Sequence, residues 1–341
     1  MWLIFADTGV SVVTVRGLFI TIGMSCCVAL LVGMFWACAP TLSATKRPSA
    51  GTHRIQSVEI PEGKPRSYLL HVPSRWQGRP SLSLVVALHG AFSTAKKFAR
   101  ESGWSALAES EGFLVAYPEG FGLFGLLQHW NAGHCCGKAA ADNFDDVGFI
   151  DAVIDDICAV FPVDPQRIYI TGFSNGGMLV HRYAAERSAR IAAAAAVGAA
   201  VGGRASADRP IWTPPAPAVA VPMLIMHGRD DGNVPYGGGR ASQGNSKREY
   251  LSVNEAVAFW VQQNGCKRVS HKTLQEGTIA VEKWQGGDAK AEVLRYAING
   301  WGHQWPGPYF IKRLSDGDPL HGFDATRQIW EFFRMHTRIA F

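Results

Sequence analysis

Short apolar runs typical of β-strands alternate along this chain with longer segments whose apolar residues recur every three or four positions. Leu82–Leu88 is almost wholly apolar, as in a strand buried on both faces. In Val147–Phe161 the apolar positions share one face of a helix, and the aspartates lie elsewhere on the turn. We predict further strands at Ile55–Ile60, Ser67–Val72, Phe113–Tyr117, Arg167–Thr171, Ile191–Val197, Pro222–Met226 and Glu292–Ile298, and further helices at Asn175–Ala185, Val253–Gln263 and Ala325–Met335.

This alternation predicts an α/β fold with a mostly parallel central sheet, helices on both faces and three layers. With 341 residues, of which 47% are hydrophobic, the chain can bury a full-sized core. The segment Ala205–Val221 is rich in proline and interrupts the alternation. We expect it to form a surface excursion that borders the functional site.

The first part of the chain differs from the rest. Residues 17–37 carry no charge, and Arg16 precedes them, so residues 1–39 are predicted to be a signal peptide or an N-terminal membrane anchor. Residues 40–53 are typical of a linker, which leaves 54–341 as the folded domain. We therefore expect a secreted or periplasmic protein that contacts a membrane only through residues 17–37.

The charge of the chain does not indicate binding to nucleic acid. The formal net charge is +5, and Lys and Arg are scattered, so no nucleic-acid partner is expected.

The predicted domain contains four cysteines, Cys135, Cys136, Cys158 and Cys266. In an exported protein they permit two disulfides with three connectivities. We expect Cys135 and Cys136 to bond to different partners, because a vicinal bridge is strained. The alternative is a metal site formed by His134 and the neighbouring cysteines. The usual spacing of metal ligands is missing there, so no metal is predicted.

A candidate nucleophile follows the strand predicted at Arg167–Thr171. The sequence Gly172-Phe173-Ser174-Asn175-Gly176-Gly177 leads directly into a predicted helix. A G-x-S-x-G pattern in this strand, turn and helix context is typical of a nucleophilic serine on a sharp turn. We therefore predict Ser174 as the nucleophile.

A serine hydroxyl needs a base within hydrogen-bond reach and an acid that orients the base. The loop after Pro222–Met226 offers Asp230 and Asp231, and the loop after Ile298 offers His303. Ser174, Asp231 and His303 then occur in the order serine, acid, histidine, which is the order in enzymes whose nucleophile lies on such a turn. Spacing alone does not decide between Asp230 and Asp231 as the acid. The other histidines at strand ends, His89 and His227, are expected to bond nearby backbone.

The oxyanion of an acyl-transfer reaction needs two N–H donors. We predict one at Asn175, directly after the nucleophile, and one at Ala91, with Phe92 as the alternative. Three tryptophans in loops, Trp130, Trp301 and Trp305, are candidates for lining a substrate pocket, with loop anchoring as the alternative.

One glycine pattern points to different chemistry. Residues 120–125 fit G-x-G-x-x-G after a predicted strand, as in dinucleotide sites. Two residues separate the strand from the glycines, however, and no amphipathic helix follows them. We therefore predict no nucleotide and no cofactor, and interpret this segment as an aromatic, mobile lip of the cleft.

Several further motifs fall at the predicted strand ends. They are Leu88-His89-Gly90, Tyr117-Pro118-Glu119, Trp130-Asn131-Ala132-Gly133 with Cys135-Cys136-Gly137, Asp145-Asp146-Val147-Gly148-Phe149, Gly172 to Gly177, His227-Gly228 through Asp231 to Val234-Pro235-Tyr236, and Gly302-His303 with Trp305-Pro306-Gly307. Together they closely resemble the esterase family that groups poly(3-hydroxybutyrate) depolymerase-like proteins with feruloyl and acetylxylan esterases. The resemblance covers about Gln56 to Met335.

The resemblance implies an α/β-hydrolase fold with Ser174, Asp231 and His303 as triad, and it favours Asp231 over Asp230. It also implies a secreted serine carboxylic-ester hydrolase that works through an acyl-enzyme without a cofactor. The substrate stays open among short-chain esters, hydroxyalkanoate oligomers, and feruloyl or acetyl groups on polysaccharide. Because no module that grips insoluble polymer is visible after Met335, soluble or oligomeric esters are favoured. The competing hypotheses are a catalytically silent surface binding protein of the same fold and a serine peptidase.

Overall fold

The computed structural model describes residues 48–58, 66–76, 80–123, 126–244, 247–287 and 291–338. The predicted signal peptide or anchor, residues 1–39, lies outside this range, as does most of the predicted linker. Among the described residues, none of the helices is both long enough and apolar enough to cross a membrane.

Ten of the described strands form one sheet around which the rest of the domain is arranged. The strands are β1 Gly51–Val58, β2 Arg66–Val72, β3 Leu82–Leu88, β4 Leu114–Pro118, β5 Phe121–Leu123, β6 Leu126–His129, β7 Val163–Phe173, β8 Ala193–Val197, β9 Gly203–Arg204, β10 Met223–Gly228, β11 Gly239–Arg240, β12 Glu249–Tyr250, β13 Arg268–Leu274, β14 Ile279–Gln285 and β15 Val293–Ile298. The sheet order is β1-β2-β4-β3-β7-β8-β10-β15-β14-β13. Its six central strands, β4 to β15 in that order, are parallel, and the two strands at each edge run antiparallel.

Helices cover both faces of the sheet. They are α1 Ala95–Ser102, α2 Trp104–Glu111, α3 Gly137–Ala141, α4 Asp146–Val160, α5 Asn175–Glu186, α6 Val253–Gln263, α7 Pro308–Ile311 and α8 Ala325–Arg334. The apolar faces of α4, α5 and α6 pack with one side of the sheet, and those of α1, α2 and α8 pack with the other. Each side forms its own buried core, because alternate residues of a strand point to opposite faces. The predicted three-layer α/β fold is confirmed.

The predicted elements differ from the structure at both edges of the sheet and on one of its faces, where the helices α1 and α2 were not predicted. Strands β13 and β14 were not predicted, because their residues are mostly exposed or half-buried and lack a continuous apolar run. Strand β1 begins at Gly51, so the last three residues of the predicted linker pair with β2. The segment Ala205–Val221 lies outside the main sheet as predicted, but none of its residues lines the cleft described below.

Candidate active site

Ser174 lies on a sharp turn between β7 and α5. Its backbone has φ 53° and ψ −123°, a strained conformation for a non-glycine residue. The turn is possible because its neighbours are glycines: a Cβ on Gly172 would come within 2.6 Å of the Gly176 backbone, and a Cβ on Gly176 within 2.4 Å of the His89 carbonyl oxygen. The Ser174 amide donates to Val197 O of β8 at 2.9 Å. The turn is therefore held between two neighbouring strands.

The structure brings the other two predicted residues to this serine. The His303 Nε2 atom lies 2.8 Å from Ser174 Oγ, and its Nδ1 atom lies 2.7 Å from Asp231 Oδ2. The carboxylate can only accept, so Nδ1–H donates to Asp231 and Nε2 is left to accept from the serine hydroxyl. The three residues follow β7, β10 and β15, whose parallel carboxyl ends share one edge of the sheet.

Asp231 is buried and fully engaged, whereas Asp230 is exposed. Asp231 Oδ1 accepts from the amides of Asn233 and Val234, at 2.9 and 2.8 Å. Burial alone would raise the pKa of Asp231, but hydrogen bonds from His227 and His303 outweigh it and hold the pKa well below its usual value. The carboxylate is therefore ionised at neutral pH, as a group that orients a histidine must be.

The two histidines predicted to shape loops do bond nearby backbone, which confirms that interpretation. His227 Nε2 lies 2.8 Å from Val234 O and 3.2 Å from Asp231 Oδ2, so its single proton is shared between them. His89 Nδ1–H donates to Gly90 O at 2.8 Å.

The candidate oxyanion donors come from two segments: Asn175 directly follows Ser174, and Ala91 lines the cleft that contains Ser174. Asn175 is the first residue of α5, where backbone N–H groups lack helical acceptors. In the loop after β3, the Phe92 amide donates to Gln128 O at 2.9 Å and is not available. The amide of Ala91 reaches no acceptor within the described part of the chain. Of the two predicted alternatives, Ala91 thus has the free donor.

A cleft of about 190 Å³ opens at Ser174 and His303. Aromatic side chains from different parts of the chain line it, together with polar groups from the loop after β3 and from α1. The lining residues that had no predicted role are Ser93, Lys97, Phe98, Glu101, Phe173, Gln304 and Phe310. Phe173 and Gln304 could be associated with the site from the sequence, because Phe173 directly precedes Ser174 and Gln304 directly follows His303.

Two of the three tryptophans that were candidates for lining the substrate pocket do not line the cleft. Trp130 is fully buried and donates its indole N–H to His89 O at 2.8 Å. Trp301 is 6% exposed and donates to Gln304 O at 2.9 Å. Neither lines the cleft, because each is held inward by packing and by this hydrogen bond. Trp305 does line the cleft, and its indole N–H is bound to Thr326 Oγ1.

The expected cysteine pairing is wrong. The structure joins Cys135 to Cys136, and Cys158 and Cys266 are free thiols. Cys158 is exposed on α4, and the Cys266 thiol donates to Ala291 O, so neither is directed at the buried Cys135 segment. In the part of the chain that the structure describes, no group of three or more His, Cys, Asp or Glu side chains is arranged to hold a metal ion.

The sheet order is that of the α/β-hydrolase fold, and the residues at the strand ends bring a serine, a histidine and an aspartate into hydrogen-bond contact. Residues 66–209 match the family model "Esterase PHB depolymerase". The chain is 27% identical to "Putative esterase NocK" of Nocardia uniformis subsp. tsuyamanensis, over 79% of this chain and 78% of that protein. It is 29% identical to "Feruloyl esterase B" of Piromyces equi over 77% of this chain, but spans only 45% of that protein's length.

The solved structure of an acetyl xylan esterase from Aspergillus awamori shares the fold. It covers 84% of this chain and 99% of its own, with a TM-score of 0.56 and 15% sequence identity. These matches confirm both the predicted α/β-hydrolase fold and the resemblance to this esterase family. They support the prediction of a carboxylic-ester hydrolase, since the relatives bear esterase names.

Proposed function

We propose that this chain hydrolyses carboxylic esters through Ser174, His303 and Asp231. The observation that carries the proposal is the continuous hydrogen-bonded chain from Ser174 Oγ through His303 to Asp231, which opens onto a cleft. Such a chain lets the histidine take the serine proton while the carboxylate stabilises the imidazolium that forms.

The proposed reaction has two halves. Ser174 Oγ forms a bond to the ester carbonyl carbon as its proton passes to His303 Nε2, and the carbonyl electron pair moves to oxygen. The oxyanion is stabilised by the amides of Ala91 and Asn175. Its collapse breaks the ester C–O bond, and His303 returns the proton to the departing alcohol. Water, deprotonated by the same histidine, then attacks the carbonyl carbon of the acyl-enzyme. The bond from this carbon to Ser174 Oγ breaks, His303 returns the proton to Oγ, and the acid is released.

The size of the cleft indicates that it encloses only a small acyl or alcohol group of the substrate. Its volume of about 190 Å³ lies below the roughly 300 Å³ at which sites for drug-sized ligands begin. The aromatic floor of Phe98, Phe173 and Trp305 suits an acyl chain or a single ring. The rest of a larger ester would lie in solvent, so we propose soluble or oligomeric esters as substrates.

The test is hydrolysis of p-nitrophenyl acetate and butyrate by the purified full chain and by Ser174→Ala. We expect activity in the wild type and a loss of at least about 10³-fold in kcat for the variant, because the nucleophile is gone. Methyl ferulate, acetylated xylan and hydroxybutyrate oligomers then rank the substrates. A folded wild-type protein that cleaves none of these esters overturns the proposal, and cleavage of peptides alone would favour the peptidase hypothesis.

We also propose that the protein is exported, with residues 17–37 acting as a signal peptide or as an anchor. The uncharged segment preceded by Arg16 supports this. Cell fractionation of the expressed chain, with sequencing of its N-terminus, distinguishes the two forms. An uncleaved chain in the cytosolic fraction contradicts export.

A further inference from the structure

The two proposed oxyanion donors belong to different segments of the chain. Ala91 lies in the loop after β3, and Asn175 begins α5. Both amides must point at one oxygen, and donors fixed in advance are what make such a site effective. We propose that His89, Trp130 and the Asn175 side chain form one buried hydrogen-bonded circuit that holds these two amides in position relative to each other. The inference rests on the proposed function.

The first part of the circuit orients the Ala91 amide. His89 Nδ1–H donates to the carbonyl oxygen of Gly90 at 2.8 Å. That carbonyl and the Ala91 N–H belong to the same planar trans peptide, so they point in opposite directions. By holding the Gly90 carbonyl on one side, the imidazole therefore turns the Ala91 N–H to the other. A Cβ on Gly90 would lie 3.3 Å from the Ser174 Cβ, so this peptide is beside the nucleophile.

The His89 ring is held in the tautomer that this role needs. The Gly120 amide donates to His89 Nε2 at 3.0 Å, so Nε2 is the acceptor and the proton is on Nδ1. The side chain is fully buried, and burial lowers its pKa to about 4. The ring is neutral across the pH range in which a serine esterase works, and its donor stays on the Gly90 side.

The second part of the circuit connects His89 to Asn175 through Trp130. The Trp130 indole N–H donates to the His89 carbonyl oxygen at 2.8 Å. The backbone N–H of Trp130 donates to Asn175 Oδ1 at 2.7 Å, and Asn175 Nδ2 donates back to the Trp130 carbonyl at 3.0 Å. One buried residue thus binds both segments. The backbone amide of Asn175 is the second proposed donor, so the circuit connects the segments that carry both donors.

A purely structural role would lower stability without a selective effect on the transition state. Donors aimed at the oxyanion act on the tetrahedral state and not on the bound ester, so loosening them lowers kcat and leaves KM nearly unchanged. The chain offers a matched control. Trp260 is also fully buried and donates its indole N–H to a histidine, His181 Nδ1, at 2.9 Å, but it lies outside the circuit.

The first comparison is Trp130→Phe against Trp260→Phe, with p-nitrophenyl butyrate as substrate. Each change removes one buried indole hydrogen bond. We expect Trp130→Phe to lose about 10-fold in kcat, part of the roughly 10²- to 10³-fold that a whole oxyanion donor supplies. We expect Trp260→Phe to change kcat by less than about twofold. Inhibition by a trifluoromethyl ketone, whose hemiketal carries an oxyanion, should weaken in parallel with kcat for Trp130→Phe only.

The second comparison varies His89. In His89→Asn the side-chain NH₂ can replace Nδ1–H and bind Gly90 O, whereas in His89→Leu no donor is left. We expect His89→Leu to lose about 10²-fold in kcat and His89→Asn to recover much of that loss, with KM within about threefold in both. The double variant of His89→Leu with Trp130→Phe should lose less than the product of the single losses, because both act on one unit.

The outcomes separate the two proposals. Wild-type protein without esterase activity overturns the proposed function and this inference with it. Wild-type activity combined with unchanged kcat in Trp130→Phe and His89→Leu overturns the circuit alone. So do equal losses in Trp130→Phe and Trp260→Phe, or losses in the double variant that simply multiply. If His89→Leu fails to fold, Trp130→Phe and His89→Asn still decide the question.

Discussion

Acid should destabilise this domain through histidines that the fold keeps neutral. His89, His134 and His181 are buried, and burial lowers their pKa values from 6.5 to about 4, 3 and 3. In the unfolded chain the same side chains take up protons near pH 6.5. A group with a depressed pKa in the folded state contributes stability that is present above pH 6.5 and lost as the pH falls toward the folded value.

The size of the effect follows from these pKa values. Between pH 8 and pH 5 each histidine lowers the free energy of unfolding by about 2 kcal/mol, since one pKa unit corresponds to about 1.4 kcal/mol. Three of them amount to about 6 kcal/mol, an upper figure that is comparable with the whole stability of many domains, about 5–15 kcal/mol. The domain should therefore approach unfolding near pH 5, above the range in which most carboxylates titrate.

Urea unfolding followed by tryptophan fluorescence at several pH values between 8 and 5 measures this slope. A matched variant is His181→Asn, whose side-chain oxygen can still accept from the Trp260 indole but cannot take up a proton. It should lose about a third of the pH dependence. An unfolding free energy that stays flat between pH 8 and pH 5.5 would show that these imidazoles are hydrated in the folded protein, and would refute the reasoning.

Three further changes should have distinct effects. Asp231→Asn keeps the shape of the acid but loses the charge that stabilises protonated His303, so kcat should fall by about 10³- to 10⁴-fold with the fold intact by circular dichroism; a loss below 10-fold would contradict its assigned role. Gly176→Ala places a Cβ 2.4 Å from His89 O, so it should reduce kcat by at least about 10-fold through displacement of the turn; unchanged kinetics would count against the strain argument. Asp146→Ala leaves Arg66 buried without its partner at 2.6 Å and should lower the free energy of unfolding by about 3–5 kcal/mol; a denaturant midpoint equal to that of the wild type would rule this out.

The sequence predicted the centre of the fold better than its margins, for physical reasons. The strand Leu82–Leu88 and the helix Val253–Gln263 were predicted with the bounds that the structure has, since burial imposes an unambiguous pattern on them. The turn around Ser174 was predictable because only glycine fits at Gly172 and Gly176. Edge strand β13 is exposed along almost its whole length, so no hydrophobic pattern marks it.

The surroundings of the site were less predictable than its central residues. Lys97 and Phe98 are neighbours on α1, which was not among the predicted helices. Even where a sequence pattern marks a helix with one buried face, it does not tell whether that face meets a core or a cleft. Trp130 has the opposite difficulty, because a tryptophan in a loop can line a pocket or anchor the loop, and only the three-dimensional path of its backbone decides.

The exposed edge strand also bears on how the protein behaves at high concentration. The unpaired backbone groups of a terminal strand can add a strand from another molecule and so start aggregation. Here Arg268 and Lys272 lie on β13, and Lys267 directly precedes it. A second copy that approached this edge would bring its own cations against these, and both sets would have to lose water. These charges disfavour edge-to-edge pairing of two sheets, so the protein should resist fibre formation through this edge at high concentration.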